Sequence, residues 1–286
     1  MIQSMTGFGK ATLQLPTKKI TIEVKSLNSK GLDLNVRIPS IYREMELGLR
    51  NQIAQTLERG KIDFSVFIEN TAEQTSTKVN VPIVKAYINQ LREIYPEADE
   101  VELMKMAVRM PDTLKTEREE IDENDWNQIQ TVINEALKGI LNFRKDEGAS
   151  LEKEFQLRIA NIRSYMNQAL ELDPERVQAI KDRLQTAISE LKVNVDENRF
   201  EQELIYYLEK LDITEEKVRL TNHLDYFIET LNGNEANGRK LGFITQEMGR
   251  EINTMGSKSN HAQMQKLVVQ MKDELEKIKE QVLNVL

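Results

Sequence analysis

The apolar residues of this chain change period once, and that change limits the fold more than any other feature. Ile20, Ile22 and Val24 alternate with Thr21, Glu23 and Lys25, the two-residue rhythm of a half-buried strand. Leu32, Leu34, Val36 and Ile38 repeat it after the turn-like Asn28-Ser29-Lys30-Gly31, and Ile62, Phe64, Val66 and Ile68 form a third run. Met5, Phe8 and Leu13 suggest a further strand around 3–15. Between the runs, residues 43–58 carry Met45, Leu49, Ile53 and Leu57 at four-residue spacing, an amphipathic helix. From about residue 80 the spacing is helical to the end of the chain. The expected class is α+β: a small N-terminal mixed α/β sheet module, then a long helical region.

Within that region Pro82 suits the first turn of a helix carrying Val84, Ile88 and Leu91. Asp122 to Glu147 reads as a second helix, Ala149 to about Leu170 as a third, and Asp173-Pro174 opens a fourth. Residues 198–211 and 213–231 follow, and Gly256-Ser257 reads as the break before the last helix, with Ser259 or Asn260 as its cap. That helix is heptad-patterned: Met264, Val268, Met271, Leu275, Ile278, Val282 and Val285 recur at alternating spacings of four and three. So narrow a seam wants a partner helix, from the same chain or from a second copy. The expected organisation is 1–75, an α+β sheet module; 76–197, a helical scaffold; and 198–286, a C-terminal helical domain.

Composition narrows the chemistry. The chain of 286 residues has no cysteine and two histidines, His223 and His261. Thiol nucleophiles, disulfides, cysteine metal sites and three-histidine zinc sites are excluded. Any metal site would be mainly carboxylate, suited to Mg²⁺, Mn²⁺ or Ca²⁺. The net charge of -8 argues against general affinity for nucleic acid, yet residues 1–70 hold ten Lys and Arg against seven Asp and Glu. With no signal-peptide pattern and no long apolar run, a cytoplasmic protein without membrane contact is expected.

Two helical stretches bring ionisable groups together. At 100° per residue, Asp212, Glu216, Arg219 and His223 share one stripe beside the apolar Ile213, Leu220, Leu224 and Phe227. His223 then sits where core meets water, placed to bind a metal or relay a proton. In residues 238–260, Glu247 and Glu251 lie one turn apart, with Lys240 and Lys258 on the same flank. Such a pair of carboxylates can share a divalent cation while lysine and arginine hold phosphate oxygens. The same spacings also suit solvated ion-pair ladders. The MTGFG near the start lacks the residues of a phosphate loop and reads as a glycine-permitted turn or bulge in the first strand. Lys18, Lys19, Lys25, Lys30, Arg37, Arg59 and Lys61 are candidates for a phosphate-backbone groove on the sheet, with Phe8, Tyr42 and Phe64 the few aromatic candidates for stacking.

The segments SMTGFGKA, VKSLNSKGLDLNVRIP, RGKID, DITEEKVRLTNHL and GRKLGFITQEMGREINTMGSKSN resemble the signatures of the bacterial YicC-like family. The resemblance covers both ends of the chain, while about 75–195 carries no diagnostic motif. It implies a metal-dependent endoribonuclease, selective for single-stranded or looped RNA and assembled as a homohexamer. It implies His223, Glu247 and Glu251 as catalytic residues, and Glu216, His223, Glu247 and Glu251 as ligands of Mg²⁺ or Mn²⁺. RNA contacts are implied for Asn28, Arg37, Arg59, Lys61, Arg219, Arg239, Arg250 and Lys258, and Lys25 and Lys30 join them from the basic surface of the sheet. Gly242 and Gly249 depart from the family's aspartate and asparagine, and Lys30 stands where an arginine is frequent. Two other classes accommodate the same residues: a non-catalytic RNA-binding adaptor, and a structural helical oligomer.

Overall fold

The computed structural model describes residues 2–16, 18–70, 77–116, 123–191, 197–233 and 238–286. The alternating runs pair into one four-stranded sheet. Its strands are β1 (Gly7–Gln14), β2 (Lys18–Leu27), β3 (Leu32–Arg37) and β4 (Gly60–Asn70), in the order β1-β2-β4-β3. β1, β2 and β4 are antiparallel neighbours, and β3 runs parallel to β4. The parallel pair requires a crossover, supplied by α1 (Glu46–Leu57) after a short 3₁₀ turn over Ser40–Met45. A second, two-stranded ribbon pairs β5 (Thr77–Val79) with β6 (Leu114–Thr116) around α2 (Val81–Ile94) and α3 (Glu100–Ala107).

The remaining helices are α4 (Glu123–Glu171), α5 (Asp173–Leu191), α6 (Glu197–Leu211), α7 (Thr214–Leu231), α8 (Gly238–Lys258) and α9 (Ala262–Val282). α4 is one helix of 49 residues where the sequence suggests two. Its expected first residue, Asp122, lies outside the described residues. The expected break falls at Gly148, and the reason for a glycine inside a continuous helix lies elsewhere in the chain. A Cβ there would stand 2.2 Å from the carbonyl oxygen of Ile2, so the glycine admits the N-terminal segment against the helix. Gly9 serves β1 in the same way: a Cβ would lie 2.2 Å from the Ala136 carbonyl of α4. The MTGFG glycines thus permit close strand-on-helix packing instead of a turn or bulge.

Two apolar cores result, and α4 contributes to both. In the first, Ile20, Ile22, Val24, Ile62 and Phe64 of the sheet pack on Leu49, Ile53 and Leu57 of α1 and on Ile129, Ile133 and Ile140 of α4. The second joins Phe155, Ile159 and Ile162 of α4 to α7, α8 and α9. Met264, Val268, Met271, Leu275, Ile278, Val282 and Val285, the whole heptad seam, are buried there. Its partner helices belong to the same chain.

The two ends of the chain are sewn together. Ser4 bridges Val285, Met5 N–H donates to the Asn284 carbonyl and Leu286 N–H to that of Gln3. Arg144 of α4 is 1% exposed and has no carboxylate partner among the described residues; its Nη atoms donate to the carbonyls of Leu57, Met5 and Arg59 and to Ser26 Oγ. Burial pushes its guanidinium below the usual arginine value. These contacts fix the sheet module to the helix that leads to the second core.

Candidate active site

α7 and α8 pack side by side, and two ion pairs set their register. Arg219 Nη1 of α7 lies 3.9 Å from Glu251 Oε1 of α8, and Lys258 Nζ lies 2.8 Å from Glu216 Oε1. Numbers rise on one helix as they fall on the other, so the pair is antiparallel. His223 is one turn beyond Arg219, and Glu247 one turn before Glu251, which places them at the same next level. Helical geometry thus sets the four residues nominated as metal ligands along one edge, with direct contacts across it only at Glu216 and Glu251.

Their depths differ. Glu216 and Glu251 are each 5% exposed, His223 is half-buried and Glu247 is exposed. Glu216 Oε2 is buried without any hydrogen-bond partner among the described residues. Arg219 is shared: Nη2 lies 2.5 Å from Glu215 Oε1, while the longer contact reaches Glu251. The expected Glu216–Arg219–His223 ladder along α7 does not form, because Glu216 turns to Lys258 on α8. Among the described residues, no three His, Asp or Glu side chains come close enough within one chain to hold a metal ion.

The end of α8 explains the GSKSN segment. The helix runs through Gly256 to Lys258, beyond the expected break. Its last carbonyls find donors. Ser259 Oγ donates to Met255, Gln265 Nε2 to Gly256 and Ser259, and Arg176 Nη1 to Lys258. Lys258 can then reach back to α7, where Nζ also donates to the Asp212 carbonyl at 2.9 Å. Asp212 accepts from Thr214 N–H and Thr214 Oγ1, and the Thr214 hydroxyl chiefly holds its carboxyl below the usual aspartate value. Glu215, three residues after Asp212 as a capping box would place it, pairs with Arg219 instead of returning to Asp212. α9 is capped by His261 Nδ1, which accepts from Met264 N–H at 3.4 Å, instead of by Ser259 or Asn260. Gly242 and Gly249 face α9: a Cβ at the first would touch Val282 and at the second Leu275, away from the Glu251 edge.

The nominated RNA contacts fall into separate groups. Lys25, Arg37 and Lys61 are exposed on the face of the sheet that no helix among the described residues covers. Lys25 there is shared between Glu23 and the Phe8 ring. Tyr42 and Phe64 are buried, so neither can stack on a base; the half-exposed Phe67 on β4 is the aromatic that spacing overlooked. Asn28 spends its amide on the Leu283 carbonyl at 2.6 Å, and Arg59 Nε donates to the Ser29 carbonyl. Lys30 is exposed beside them. Arg219 sits at the α7/α8 edge and Arg250 is exposed on α8, next to Glu251 in the chain, whereas Arg239 starts α8, about 28 Å from its last residue at 1.5 Å per residue.

Residues 2–153 match the N-terminal region of the endoribonuclease YicC-like family, and residues 169–286 match its C-terminal region. The chain belongs to the YicC-like endoribonuclease family. It is 32% identical over 293 residues to the probable endoribonuclease YicC of Clostridioides difficile (strain 630), with 100% of both chains covered. It is 30% identical over 288 residues to the protein of the same name from Haemophilus influenzae, again with 100% of both covered. The YicC-like C-terminal region contains the whole α7/α8 edge, and the N-terminal region contains the uncovered sheet face. No helix among the described residues is long and apolar enough to cross a membrane.

Proposed function

We propose that this chain is a divalent-cation-dependent endoribonuclease that cuts single-stranded or looped RNA at the α7/α8 edge. The observation that carries the reading is a pair of buried carboxylates with acceptor capacity left over. Among the described residues, Glu216 Oε2 has no partner, and Glu251 has only the 3.9 Å contact with Arg219. Burying an oxygen such as Glu216 Oε2 unsatisfied is costly, so an outside donor or cation is the expected complement. Carboxylate oxygens are of the class that Mg²⁺ and Mn²⁺ prefer, and Glu216, Glu247, Glu251 and His223 are the residues that would hold one. The described residues of one chain do not close that set by themselves. RNA phosphate oxygens, water or a second copy would complete it. A bound cation would polarise the scissile phosphate and acidify a bound water.

The protein's own groups do the rest. Arg219 is half-exposed, and its free N–H groups, with the exposed Arg250, bind phosphate oxygens and oppose charge that develops on them. Lys258 commits two bonds to Glu216 and the Asp212 carbonyl and retains a third donor. The His223 side chain has neither hydrogen bond nor ion pair among the described residues, so one ring nitrogen is available to accept a proton from water or from the ribose 2′-hydroxyl. Lys25, Arg37 and Lys61 hold the RNA backbone on the sheet, which implies salt-sensitive binding. The chain works in the cytoplasm as a homo-oligomer, a homohexamer in this reading.

A cleavage assay tests this. Labelled stem-loop RNA is incubated with the protein in EDTA, Mg²⁺ or Mn²⁺, beside Glu247→Gln and Glu251→Gln. Metal-dependent internal cuts that vanish in both variants are expected. Equal products in EDTA, ending in a cyclic phosphate, would remove the cation and leave His223 as the leading residue. A retained gel shift with no cleavage would make the chain an RNA-binding adaptor.

A further inference from the structure

The α7/α8 edge is held by a third helix. Arg176, in the first turn of α5, is 2% exposed, one of the two largest fully buried polar side chains. Its Nε and Nη2 both reach Asp173 Oδ1, at 2.9 and 2.7 Å. Its Nη1 donates to the backbone carbonyl of Lys258 at 2.7 Å. Lys258 is the last residue of α8, so that carbonyl is one a helix leaves without an internal partner. A cation at this pole is also favoured by the helix dipole. The far end of the same residue meets Glu216 Oε1 and the Asp212 carbonyl. A continuous series of contacts thus runs Asp173, Arg176, Lys258, Glu216.

Core packing does not explain this. A buried ion pair is commonly no more stabilising than apolar residues filling the same volume. What Arg176 does supply is direction. With the Lys258 carbonyl fixed, the side chain leaves the helix end toward α7 and takes one Glu216 oxygen. The other oxygen, Oε2, is left buried and free.

We propose that Arg176 is a positioning residue for RNA cleavage: it caps α8 from α5 and thereby aims Lys258 at Glu216. The proposal rests on the α7/α8 edge being the reactive surface. Arg176 touches no substrate in it; its effect passes through Lys258. The two residues should therefore act as one unit, which a general loss of stability would not imitate.

A double-mutant cycle on the full-length chain reads this. kcat and KM for labelled stem-loop RNA are measured for Arg176→Ala, Lys258→Ala and the double variant. Arg176→Ala is expected to lower kcat about tenfold with KM within about twofold, the usual scale for losing a supporting contact. The double variant is expected to be no worse than Lys258→Ala alone. Losses that multiply in the double variant, or wild-type kcat in Arg176→Ala, would overturn it. Thermal unfolding is followed for each variant. If Arg176→Ala does not fold, Asp173→Asn replaces it. That change keeps the guanidinium and weakens its anchor, so kcat should fall in the wild-type background and stay unchanged in Lys258→Ala. An unchanged kcat in both backgrounds would overturn the proposal. Cleavage that survives Glu251→Gln and Glu247→Gln would instead remove the reactive edge, and this inference with it. Cleavage that needs those glutamates but multiplies across the cycle would remove the Arg176 role alone.

Discussion

Two parts of one helical bundle treat buried glutamates in opposite ways. On the α4/α9 seam, Glu274 is 6% exposed, and both its oxygens are used. Arg158 and Asn161 of α4 donate to Oε2 at 3.3 and 2.9 Å, and Lys277 donates to Oε1 at 2.8 Å. On the α7/α8 edge, Glu216 and Glu251 are as deeply buried, yet among the described residues one oxygen of the first has no partner and the second has a single long contact. The same side chain at the same depth is a saturated cross-link in one place and an open acceptor in the other. Burial alone therefore does not distinguish the two carboxylates. Unspent hydrogen-bonding capacity does.

The largest effects should separate these regions by the kind of loss. Glu251→Gln should reduce RNA cleavage at least about a hundredfold while the melting temperature stays within a few degrees. Glu274→Ala should do the reverse. It removes the acceptor for three donors, and a loss of about 2–3 kcal/mol is expected. That corresponds to a fall in Tm of roughly 5–10 °C, with cleavage per folded molecule unchanged. Differential scanning fluorimetry beside a gel assay reads both. A Glu251→Gln protein that melts early and a Glu274→Ala protein that stops cutting would dissolve the distinction.

Acid should act on the saturated side. Burial by itself pushes the Glu274 carboxyl up, but the hydrogen bonds from Lys277, Asn161 and Arg158 outweigh it, and the net direction is below the ordinary 4.5. A carboxyl depressed in the folded state contributes stability that is complete above its unfolded value. That contribution is lost as pH falls through the lower folded value. The wild-type Tm should therefore drop once pH passes below about 4.5, and the drop should be shallower in Glu274→Gln. Parallel curves for the two proteins would show that Glu274 is not what the acid breaks. Asp212, held down first by the Thr214 hydroxyl, adds a further loss of the same sign at lower pH.

The same contrast explains what can be read from the sequence. The strands are legible because one face of the sheet is buried and the other is not, so Ile20, Ile22 and Val24 alternate with Thr21, Glu23 and Lys25. The shared flank of Glu247 and Glu251 is legible because helical geometry alone fixes it. Their unequal depth is not, because α7 covers one and leaves the other. Gly148 reads as a helix break because its reason, the carbonyl of Ile2, is distant in the chain. The heptad seam is plain, but spacing does not say whose helices fill it; α4 and α8 do. Glu216 and Lys258 are separated by 42 positions, and Arg176 meets Lys258 across 82, so neither contact leaves a local mark.

The smallest expected effect concerns the two histidines, which repeat the comparison on a smaller scale. His261 spends Nδ1 on the Met264 N–H at the start of α9, while the His223 side chain has no partner among the described residues of the α7/α8 edge. The cap bond is long at 3.4 Å, so His261→Ala should cost only about 0.5 kcal/mol, the low end for losing a cap. In Tm this is roughly 1–2 °C. His261→Ser should recover it, since a serine hydroxyl is a better N-cap than an imidazole. Neither change should alter cleavage, whereas His223→Ala should abolish it with no fall in Tm. If His261→Ala instead removes activity at unchanged Tm, the cap is not its whole role. The division between spent and unspent side chains would then have to be redrawn to include the turn between α8 and α9.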